Sequence, residues 1–488
     1  MNKNKFYNYF DELPLLTDLY QLTMGYGYWK NGIAENDVVF NLYFRQNPFN
    51  GGYTVAAGLE YVIKFLKNYH FNENALDYLS TLKNSDGTKI FEIEFLDYLK
   101  NIKLELDIDA IEEGKLVFPL EPLIRVRGPI IQAQLIETTL LNIVNFQTLI
   151  ATKACRIVLA AEGRPIAEFG LRRAQGFDGG ISATRAAYIG GCSGTSNVLA
   201  AKIFNIPPIG THSHSWVMFF NNEKEAFDAY IHALPSNCTL LVDTYNTING
   251  VKNAIEAVKN KKNVILKGIR LDSGDLAYLS QKTRELLDEA GLKDTKIIAS
   301  NDLDEYIIES LIDQKANIDI FGVGTNLVTA KDQPALGGIY KLTAIKNNNR
   351  WVPKIKISEQ PIKINIPGIQ KVKRFYDKDG LMSIDLIYDV TENIEDIEYA
   401  IDPFFEYRRK KITDFEESED LLIPIFKKGE LVYNLPTISD IREKLQKDLR
   451  RLHYSHKRLK NPHIYPVGIS HYLFNLKKRL IMEAKGYE

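Results

Sequence analysis

Between residues 165 and 338, short apolar segments alternate with segments of helical periodicity, and this alternation constrains the fold most strongly. A strand followed by an amphipathic helix, repeated about six times, predicts parallel strands joined by right-handed crossovers. No GxGxxG motif follows the first apolar segment, which disfavours a dinucleotide-binding sheet. We therefore predict a complete or incomplete β/α barrel. The predicted strands are 165–169, 208–210, 239–242, 264–266, 296–299 and 318–323, and the predicted helices between them are 184–189, 195–204, 224–234, 250–258, 276–290 and 304–313.

The sequence on either side of this region lacks such regularity. Residues 1–150 mix helix and strand patterns and predict an α+β domain, which leads into a long helix near 132–159. Residues 151–345 contain the predicted barrel, and residues 346–488 are predicted to pack on the rest of the protein as a C-terminal extension. The basic run 408–411 in that extension is interpreted as solvated surface. The other elements predicted before residue 150 are a helix from Thr17 or Asp18 to about Lys30, a helix over 59–69, and strands at 38–44, 104–111 and 123–126.

Composition excludes several classes of protein. The chain has 488 residues, a formal net charge of −1 at pH 7 and a pI near 6.7, which argues against nucleic-acid and membrane-surface binding. Cys155, Cys192 and Cys238 are widely spaced and form no CxxC pair, which disfavours a zinc site or a disulfide framework. The first residues lack the apolar core of a signal peptide, and no apolar run reaches membrane-spanning length. We expect a cytoplasmic protein with reduced thiols.

Polar residues gather at the end of each predicted strand of the barrel region. In a β/α barrel the carboxyl ends of the strands share one face, where active sites lie. Six polar clusters on that face therefore predict one shared site. The clusters are Glu168 with Arg172 and Arg173, residues 211–214, residues 243–246, Arg270 with Asp272, residues 300–302, and residues 322–326.

Two of these clusters suit a phosphorylated ligand. Gly324 and Thr325 belong to a glycine loop whose backbone N–H groups suit a phosphomonoester. Asp272 and Asp275 lie in the glycine-containing loop 268–275 and suit a hydrated Mg²⁺, although Asp275 equally suits a helix cap. Arginines in two clusters suit a carboxylate or phosphate, or an ion pair with a neighbouring acid. In the ion-pair alternative, Arg172 would pair with Glu168 and Arg270 would pair with Asp272.

Two histidines in the sequence THSH allow two interpretations. His212 and His214 are two residues apart, so on a strand they would share a face and form a metal-binding pair. No third His or Cys accompanies them, which disfavours a metal site. A nucleophilic histidine oriented by a carboxylate is the sharper hypothesis.

Several motifs resemble those of the nicotinate phosphoribosyltransferase family, in the family's order. They are LLTDLYQLTMGYGYW, EFGLRRAQ, THSHSW, LVDTYNT, GIRLDSGD, and GVGTNLVT followed by PALGGIYKL. The resemblance extends from about residue 14 to 345, with a C-terminal region like that of longer members. It implies the type II phosphoribosyltransferase fold, in which an α+β sandwich domain packs on an irregular β/α barrel. It also implies a homodimer with shared active sites.

The resemblance implies a reaction as well. Nicotinate and phosphoribosyl pyrophosphate would form nicotinate mononucleotide and pyrophosphate, with ATP hydrolysis coupled to the transfer. An oxocarbenium-like ribosyl transition state needs charge stabilisation and positioning, which the polar face offers. Mg²⁺ on the pyrophosphate, supported by Asp272 and Asp275, would serve that need, and Gly324 and Thr325 would hold the ribose 5-phosphate.

Residue roles follow from the matching motifs. His214 matches the histidine that ATP phosphorylates in the family, so a phosphohistidine is expected there. Thr211, Arg270 and Tyr20 match positions that contact nicotinate. Phe169 matches an aromatic residue that stacks on the pyridine ring in related nicotinamide enzymes, and Tyr20 of the partner subunit would complete the sandwich. Arg172 and Asp243 are further expected substrate-binding residues.

The choice of base depends on Ser196. Related nicotinamide-using enzymes carry an acidic residue at the matching position, which would repel the carboxylate of nicotinate. A neutral serine therefore favours nicotinate. The alternatives are a nicotinamide phosphoribosyltransferase and a non-catalytic barrel that binds a phosphorylated metabolite. Quinolinate phosphoribosyltransferase is disfavoured, because that family is shorter and needs more basic residues for a dicarboxylate.

Overall fold

A computed structural model describes residues 9–259, 261, 263–412 and 415–487. The chain divides into two units, of which one combines Met1–Thr148 with Ala335–Glu488 and the other is Leu149–Pro334. We call them the terminal unit and the central unit. The division into residues 1–150, 151–345 and 346–488 remains a prediction of domain organisation.

The first part of the chain contains five strands and six helices that largely follow the hydrophobic pattern. The strands are β1 (Asp37–Tyr43), β2 (Thr54–Val55), β3 (Asp107–Ile111), β4 (Leu116–Val117) and β5 (Ile124–Pro129). The helices are α1 (Leu19–Lys30), α2 (Leu59–Lys67), α3 (Glu73–Thr81), α4 (Ile93–Asn101), α5 (Ile130–Leu135) and α6 (Glu137–Ala160). The predicted helix and strand positions up to residue 126 are confirmed. The single helix predicted over 132–159 is wrong in one respect, because the structure forms α5 and α6 with a break at Ile136.

Helix α6 is long and apolar enough in composition to cross a membrane, so the prediction that no apolar run reaches that length is wrong by this criterion. However, 72% of its most apolar 18-residue window is buried inside the structure, as expected for the core helix of a folded protein. The boundary between the two units falls within this helix.

The central unit is a curled, six-stranded parallel sheet with helices between its strands. Its strands are β6 (Ile166–Glu168), β7 (Gly194–Thr195), β8 (Cys238–Leu241), β9 (Leu266–Leu271), β10 (Lys296–Ala299) and β11 (Ile320–Val323). Its helices are α7 (Gly176–Ile189), α8 (Val198–Phe204), α9 (His214–Phe219), α10 (Glu223–Ala233), α11 (Thr247–Val258), α12 (Leu276–Glu289), α13 (Glu305–Asp313) and α14 (Thr325–Val328). The strand order is β7-β6-β11-β10-β9-β8, and every neighbouring pair is parallel. This half-barrel confirms the predicted irregular β/α barrel.

Two strand predictions in this unit are wrong. Residues 208–210 form only an isolated bridge, between Pro208 and Thr195, because prolines at 207 and 208 have no N–H to donate to a ladder. The residue pairing with Pro208 belongs to β7, which the sequence pattern assigned to a helix over 195–204. The strand predicted at 264–266 instead begins at Leu266 and continues to Leu271, since β8 and β10 pair with it on both sides.

The C-terminal part of the chain returns to the terminal unit. Its strands are β12 (Ile339–Asn347), β13 (Arg350–Pro353), β14 (Gln370–Tyr376), β15 (Met382–Asp389), β16 (Tyr399–Ile401), β17 (Arg409–Lys411), β18 (Glu417–Asp420), β19 (Leu422–Lys427), β20 (Glu430–Leu431) and β21 (Val467–Ile469), and its helices are α15 (Ile438–Arg451) and α16 (His471–Lys485). One sheet has the order β13-β12-β1-β5-β3-β19-β20, and a second has the order β17-β16-β21-β15-β14-β18. Because β19 pairs with β3, the C-terminal extension completes the N-terminal sheet. This pairing agrees with the prediction that the extension packs on the rest of the protein.

Candidate active site

Arg270 is the centre of the polar cluster at the carboxyl ends of the strands. It is the penultimate residue of β9, and its guanidinium donates hydrogen bonds to three loop residues. Nε donates to Ser300 Oγ at 2.9 Å, one terminal nitrogen donates to Thr211 Oγ1 at 3.1 Å, and the other donates to Asp272 Oδ1 at 2.8 Å. The guanidinium carbon lies 5.7 Å from the centre of the Phe169 ring. Four residues from separate segments of the chain therefore meet at this arginine.

Asp272 follows β9 directly and joins this arginine to the loop after β8. Its Oδ1 accepts hydrogen bonds from Arg270 and from Ser300 Oγ, and its backbone N–H donates to Asp243 Oδ2 at 2.7 Å. Burial alone raises the pKa of Asp272, but the Ser300 hydrogen bond and the charge of Arg270 outweigh it and hold the pKa below its usual value. Of the two predicted alternatives for Arg270, the structure contains the ion pair with Asp272. This ion pair uses Oδ1 of Asp272, and Oδ2 faces His214.

The two histidines of the THSH sequence have different environments. His214 is the first residue of α9 and its side chain is 41% exposed. Its Nε2 lies 3.7 Å from Asp272 Oδ2, and its Nδ1 lies 3.2 Å from Thr244 Oγ1. A half-exposed imidazole beside a carboxylate has the arrangement of an oriented nucleophile.

His212 is buried and is held by the backbone. Its Nε2 accepts a hydrogen bond from the Leu241 N–H at 3.1 Å, so in the neutral ring Nδ1 carries the proton and faces the Ser213 carbonyl at 3.3 Å. Burial lowers the pKa of His212, which favours the neutral form. Because Nε2 is committed to the backbone, the interpretation of His212 and His214 as a metal-binding pair is disfavoured. Among the described residues, no group of three or more His, Cys, Asp or Glu side chains is arranged to hold a metal ion.

Phe169 lies beside Arg270 because residue 322 is glycine. A Cβ atom on Gly322 would lie 2.6 Å from Cδ2 and Cε2 of the Phe169 ring, closer than any real contact. The backbone N–H of Phe169 donates to Val323 O at 2.8 Å, which continues the pairing of β6 with β11 by one residue and positions the backbone of Phe169. The ring is half-buried, so it has both packing contacts and an accessible surface.

Glu168 has a role that sequence reasoning did not identify. This buried carboxylate accepts hydrogen bonds from Thr184 Oγ1 at 2.9 Å, Thr195 Oγ1 at 2.6 Å and the Gly170 N–H. Glu168 therefore joins β6, β7 and α7, and the predicted alternative of an ion pair with Arg172 is wrong in this structure. The backbone carbonyl of Glu168 accepts from the Ser196 N–H at 2.9 Å, so the exposed Ser196 lies next to Phe169 along the sheet edge.

A second buried acid, Glu223, was also missed. Glu223 opens α10; its Oε2 accepts from Asn253 Nδ2 at 2.9 Å, and its Oε1 is buried without a hydrogen bond from any described residue. Burial raises the pKa of Glu223, and the nearby charge of Asp243 adds to the effect. An asparagine followed by glutamate at a helix start is the ordinary signature of a cap, so the sequence carried no signal for this placement.

The remaining predicted residues occupy several positions. Gly324 precedes the short helix α14, and Thr325 opens it, next to the Phe169 backbone. Arg172 is exposed in a short 3-10 helix after β6. Asp275 is exposed and uses Oδ1 to cap α12, accepting from the Tyr278 N–H at 3.0 Å. Tyr20 belongs to α1 of the terminal unit and is 49% exposed.

The concave side of the half-barrel encloses a cavity of about 690 Å³. Its wall extends from Phe169 and Thr211 at the carboxyl ends of the strands, past apolar side chains such as Ile298, to polar residues near the amino ends of β9 and β10, which include Lys267, Lys293, Asp294 and Lys296. This volume is in the range of small-molecule sites. The end near Arg270 is suited to an aromatic ligand that carries an anionic group.

The half-barrel with this cluster at its strand ends defines the class of the protein as an enzyme of the type II phosphoribosyltransferase fold. The crystal structure of human nicotinic acid phosphoribosyltransferase superposes with a TM-score of 0.84 at 29% identity, covering 95% of this chain and 99% of that chain. Sequence models for the nicotinate phosphoribosyltransferase (NAPRTase) N-terminal domain, family and C-terminal domain match residues 15–145, 165–378 and 369–477.

Full-length relatives agree with these matches. Nicotinate phosphoribosyltransferase of Bacillus subtilis is 45% identical over 98% of this chain and 96% of its own length. The enzyme of the same name from Dictyostelium discoideum is 39% identical over 96% of this chain and 88% of its own length. The chain belongs to the nicotinate phosphoribosyltransferase family.

The contact between Gly322 and Phe169 leads to a first prediction. Gly322→Ala should lower the free energy of unfolding by about 1–3 kcal/mol, because the added methyl group overpacks the ring, and should lower turnover by moving Phe169. Chemical denaturation and steady-state kinetics measure the two effects. Gly179→Ala, on α7 with no atom within 4 Å of the added Cβ, is the control and should leave stability unchanged or slightly higher. Wild-type stability and turnover in Gly322→Ala would show that Phe169 is not held by this contact.

Proposed function

We propose that this protein joins nicotinate to phosphoribosyl pyrophosphate, forming nicotinate mononucleotide and pyrophosphate, and that ATP hydrolysis drives the transfer. The observation that carries the proposal is the cluster of Arg270, Asp272 and His214 beside Phe169, in a chain of this family. A planar aromatic ring, a forked cation and an oriented imidazole match an aromatic carboxylate and two phosphorylated substrates.

Nicotinate is proposed to bind against the Phe169 ring, with its carboxylate near Arg270 and Thr211. Arg270 offers a charged fork, which suits a carboxylate better than a neutral amide. The pyridine nitrogen then forms a bond to C1 of the ribosyl group as the bond from C1 to the pyrophosphate oxygen breaks. The bonding electrons leave with pyrophosphate. The side chains position the two reactants in line, and they shield the charge that develops on the ribosyl group.

The phosphate groups are proposed to bind along the same strand ends. Gly324 and Thr325 would hold the ribose 5-phosphate, and Arg172 and Asp243 would contact the substrate. The exposure of Arg172 is compatible with a phosphate ligand, for which a long cationic side chain can fold over.

Mg²⁺ fits the acidic residues of this site. Asp243 Oδ1 is buried and receives no hydrogen bond from the described part of the chain, and Asp272 Oδ2 is not used by Arg270 or Ser300. Carboxylate oxygens are the ligands that Mg²⁺ prefers together with substrate phosphates. Mg²⁺ bound to pyrophosphate would also be held by Asp272, and Asp275 is the second residue predicted to hold it. The ion would neutralise charge on the leaving group.

His214 is proposed to accept a phosphoryl group from ATP. Asp272 beside Nε2 favours the tautomer with a proton on Nε2, which leaves the Nδ1 lone pair as the nucleophile next to the Thr244 hydroxyl. Nδ1 attacks the γ-phosphorus, the N–P bond forms, and the bond between phosphorus and the bridging oxygen breaks, so ADP leaves. Water later cleaves the N–P bond and releases phosphate. This cycle consumes ATP, but no part of ATP enters the nucleotide product.

Assembly and location are also part of the proposal. We propose a homodimer in which Tyr20 of the partner subunit faces Phe169 across the pyridine ring, and a cytoplasmic location. The 49% exposure of Tyr20 supports a role in contacting another surface or a ligand.

Pyrophosphate release tests the reaction directly. We expect release from phosphoribosyl pyrophosphate with nicotinate, and faster release when ATP is present. Release only with nicotinamide would contradict the choice of base but retain the reaction type. No release with either base would contradict the proposed reaction and favour a non-catalytic binding protein.

Substitution at Ser196 tests the choice of base. Ser196→Asp should lower kcat/KM for nicotinate by about 10- to 100-fold and shift preference toward nicotinamide, because a carboxylate there repels the substrate carboxylate. The kinetics of both bases with the variant measure this shift. Ser196→Asn is the neutral control of similar size and should keep the preference for nicotinate. Equal losses in the two variants would attribute the effect to side-chain size alone.

A further inference from the structure

The terminal unit contains a basic cavity that the proposed reaction does not use. Its volume is about 470 Å³, and its wall combines three histidines, a lysine and an arginine with one carboxylate. The lining residues are Asp377, Met382, Ser383, Lys410, His453, Ser455, His456, Arg458, His463 and Pro466. Only Met382 and Pro466 in this set are apolar, so the cavity is suited to a polar or charged ligand.

The walls of this cavity are held in place by contacts of their own. Lys410 on β17 donates from Nζ to the Ser383 carbonyl at 2.8 Å and to Ser383 Oγ at 2.9 Å. His456 is buried, and its Nδ1 lies 2.7 Å from the His463 carbonyl, to which it donates. The backbone at His456 packs so closely on Gly52 that a Cβ there would lie 2.3 Å from the His456 carbonyl oxygen. The cavity therefore has a preformed wall.

Several hydrogen-bond donors remain available inside it. A lysine ammonium has three N–H groups, and Ser383 takes two of those of Lys410. His453 Nδ1 accepts from the Ser455 N–H at 3.4 Å, so the neutral ring carries its proton on Nε2 and can donate from there. Arg458 is exposed, and its guanidinium carbon lies 5.4 Å from the Tyr454 ring centre.

The charge balance favours an anion. Asp377 is the one acidic side chain in the wall, and its Oδ1 already accepts from the Asp379 and Leu381 N–H groups at 3.0 and 2.9 Å. The His456 ring centre lies 5.1 Å from that of His463 and 6.4 Å from that of His453. Burial lowers the pKa of His456, and the neighbouring imidazoles and Lys410 add to the effect, so the positive charge of the wall rests on Lys410 and Arg458 rather than on this imidazole. A metal ion is not favoured, because His456 Nδ1 is occupied and no metal-binding group of three was found in the described ranges.

We propose that this cavity is a second ligand site, which binds the phosphate group of inorganic phosphate or of a mononucleotide through Lys410, Arg458 and His453. The three side chains supply charged or polarised donors from two segments of the chain, which suits a tetrahedral oxyanion. The volume exceeds that of a single phosphate and falls in the range of small-molecule sites, so a nucleotide also fits. The site lies in the C-terminal extension and gives that region a function apart from completing a sheet.

Histidine-selective NMR tests the site without depending on catalysis. The chain has eight histidines, so the ring carbon signals of protein enriched in ¹³C-histidine can be assigned by single substitutions. Inorganic phosphate and AMP are titrated separately into the full-length protein. We expect the signals of His453, His456 and His463 to shift with a Kd of about 1 mM or below for at least one of them. Shifts with phosphate identify the free anion as sufficient, whereas shifts with AMP alone identify a nucleotide.

Charge-removing variants establish whether the shifts arise in this cavity. Lys410→Gln with Arg458→Gln should weaken binding by about tenfold or more, because each lost donor is charged. Lys411→Gln is the matched control, since side chains alternate along β17 and Lys411 is outside the cavity wall. Arg458→Gln alone, at an exposed position, keeps the test valid if the double variant unfolds at lower temperature. Unmoved signals up to about 10 mM ligand, or wild-type affinity in the charge-removing variants, would overturn the proposal.

Discussion

Arg270→Ala is expected to lower kcat/KM for nicotinate and for phosphoribosyl pyrophosphate by about 10- to 150-fold, equivalent to about 1.5–3 kcal/mol for a lost charged hydrogen bond. The arginine contacts Ser300, Thr211 and Asp272 at once, and its loss also leaves the partly buried Asp272 carboxylate without its cation. Uncompensated charge near the reacting groups disturbs positioning as well as binding. Steady-state kinetics with each substrate varied in turn measure the loss.

The matched control for this variant is another arginine of the central unit. Arg284 on α12 also makes hydrogen bonds to three groups, namely Asp288, Thr295 O and Leu292 O, but these lie near the amino end of β10. Arg284→Ala should therefore affect stability rather than kcat/KM. Arg270→Lys should fall between wild type and Arg270→Ala, because it keeps the charge and loses the fork. Wild-type affinity for both substrates in Arg270→Ala would mean that the residue is structural only.

The half-barrel was predictable because its signal is local and repeated. Strands β6, β8, β10 and β11 are short, largely apolar runs separated by segments of helical periodicity, so errors at β7 and β9 did not change the architecture. The errors occurred where pairing overrides composition. Residues 266–271 form a strand although they include glycine, lysine and arginine, since β8 and β10 hold both edges. At 208–210 an apolar pattern fails to form a strand because two adjacent prolines interrupt its N–H groups.

The residues that lie together at the site could be predicted because the carboxyl ends of parallel strands converge on one face. Arg270, Asp272, Thr211, Phe169 and His214 were expected on one face, and the structure brings these five together. Their connections were not predictable, because they depend on distances between segments that are far apart in the chain. Nothing in the local sequence distinguishes a carboxylate that bridges two threonines from one that binds an arginine, yet this distinction separates Glu168 from Asp272.

The resemblance to the family contributed what local patterns lack, namely the order of several motifs along one chain. It assigned the phosphohistidine to His214 rather than His212 by motif position alone, without a physical reason for the difference. Burial and backbone hydrogen bonding supply that reason: one imidazole is committed to the Leu241 N–H, and the other is half-exposed beside a carboxylate. The two histidines of one motif therefore differ in chemistry, because only the half-exposed imidazole of His214 is available to act as a nucleophile.

His214→Ala is expected to abolish the stimulation of turnover by ATP while a slow, ATP-independent synthesis persists. The imidazole is the proposed acceptor of the phosphoryl group, whereas the proposed contacts to nicotinate are made by Phe169, Arg270 and Thr211 and remain in place. Turnover with and without ATP measures the effect, and incorporation of the γ-phosphate of ATP into the protein should disappear in the same variant. Unchanged ATP stimulation would remove His214 from the mechanism.

Two further variants test the orientation of this imidazole rather than its presence. Asp272→Asn removes the negative charge beside Nε2 but keeps the shape, so it should reduce the amount of phosphorylated protein and should also weaken the Arg270 contact. Thr244→Val removes the hydroxyl beside Nδ1 and leaves Arg270 untouched, so it changes only the surroundings of the proposed nucleophile. A loss of ATP stimulation in Thr244→Val with normal ATP-independent synthesis would assign the phosphoryl group to Nδ1. The opposite pattern is full ATP stimulation in Thr244→Val and loss of it in Asp272→Asn. It would mean that Asp272 acts through Arg270 and the substrates, because only Asp272→Asn weakens the Arg270 contact.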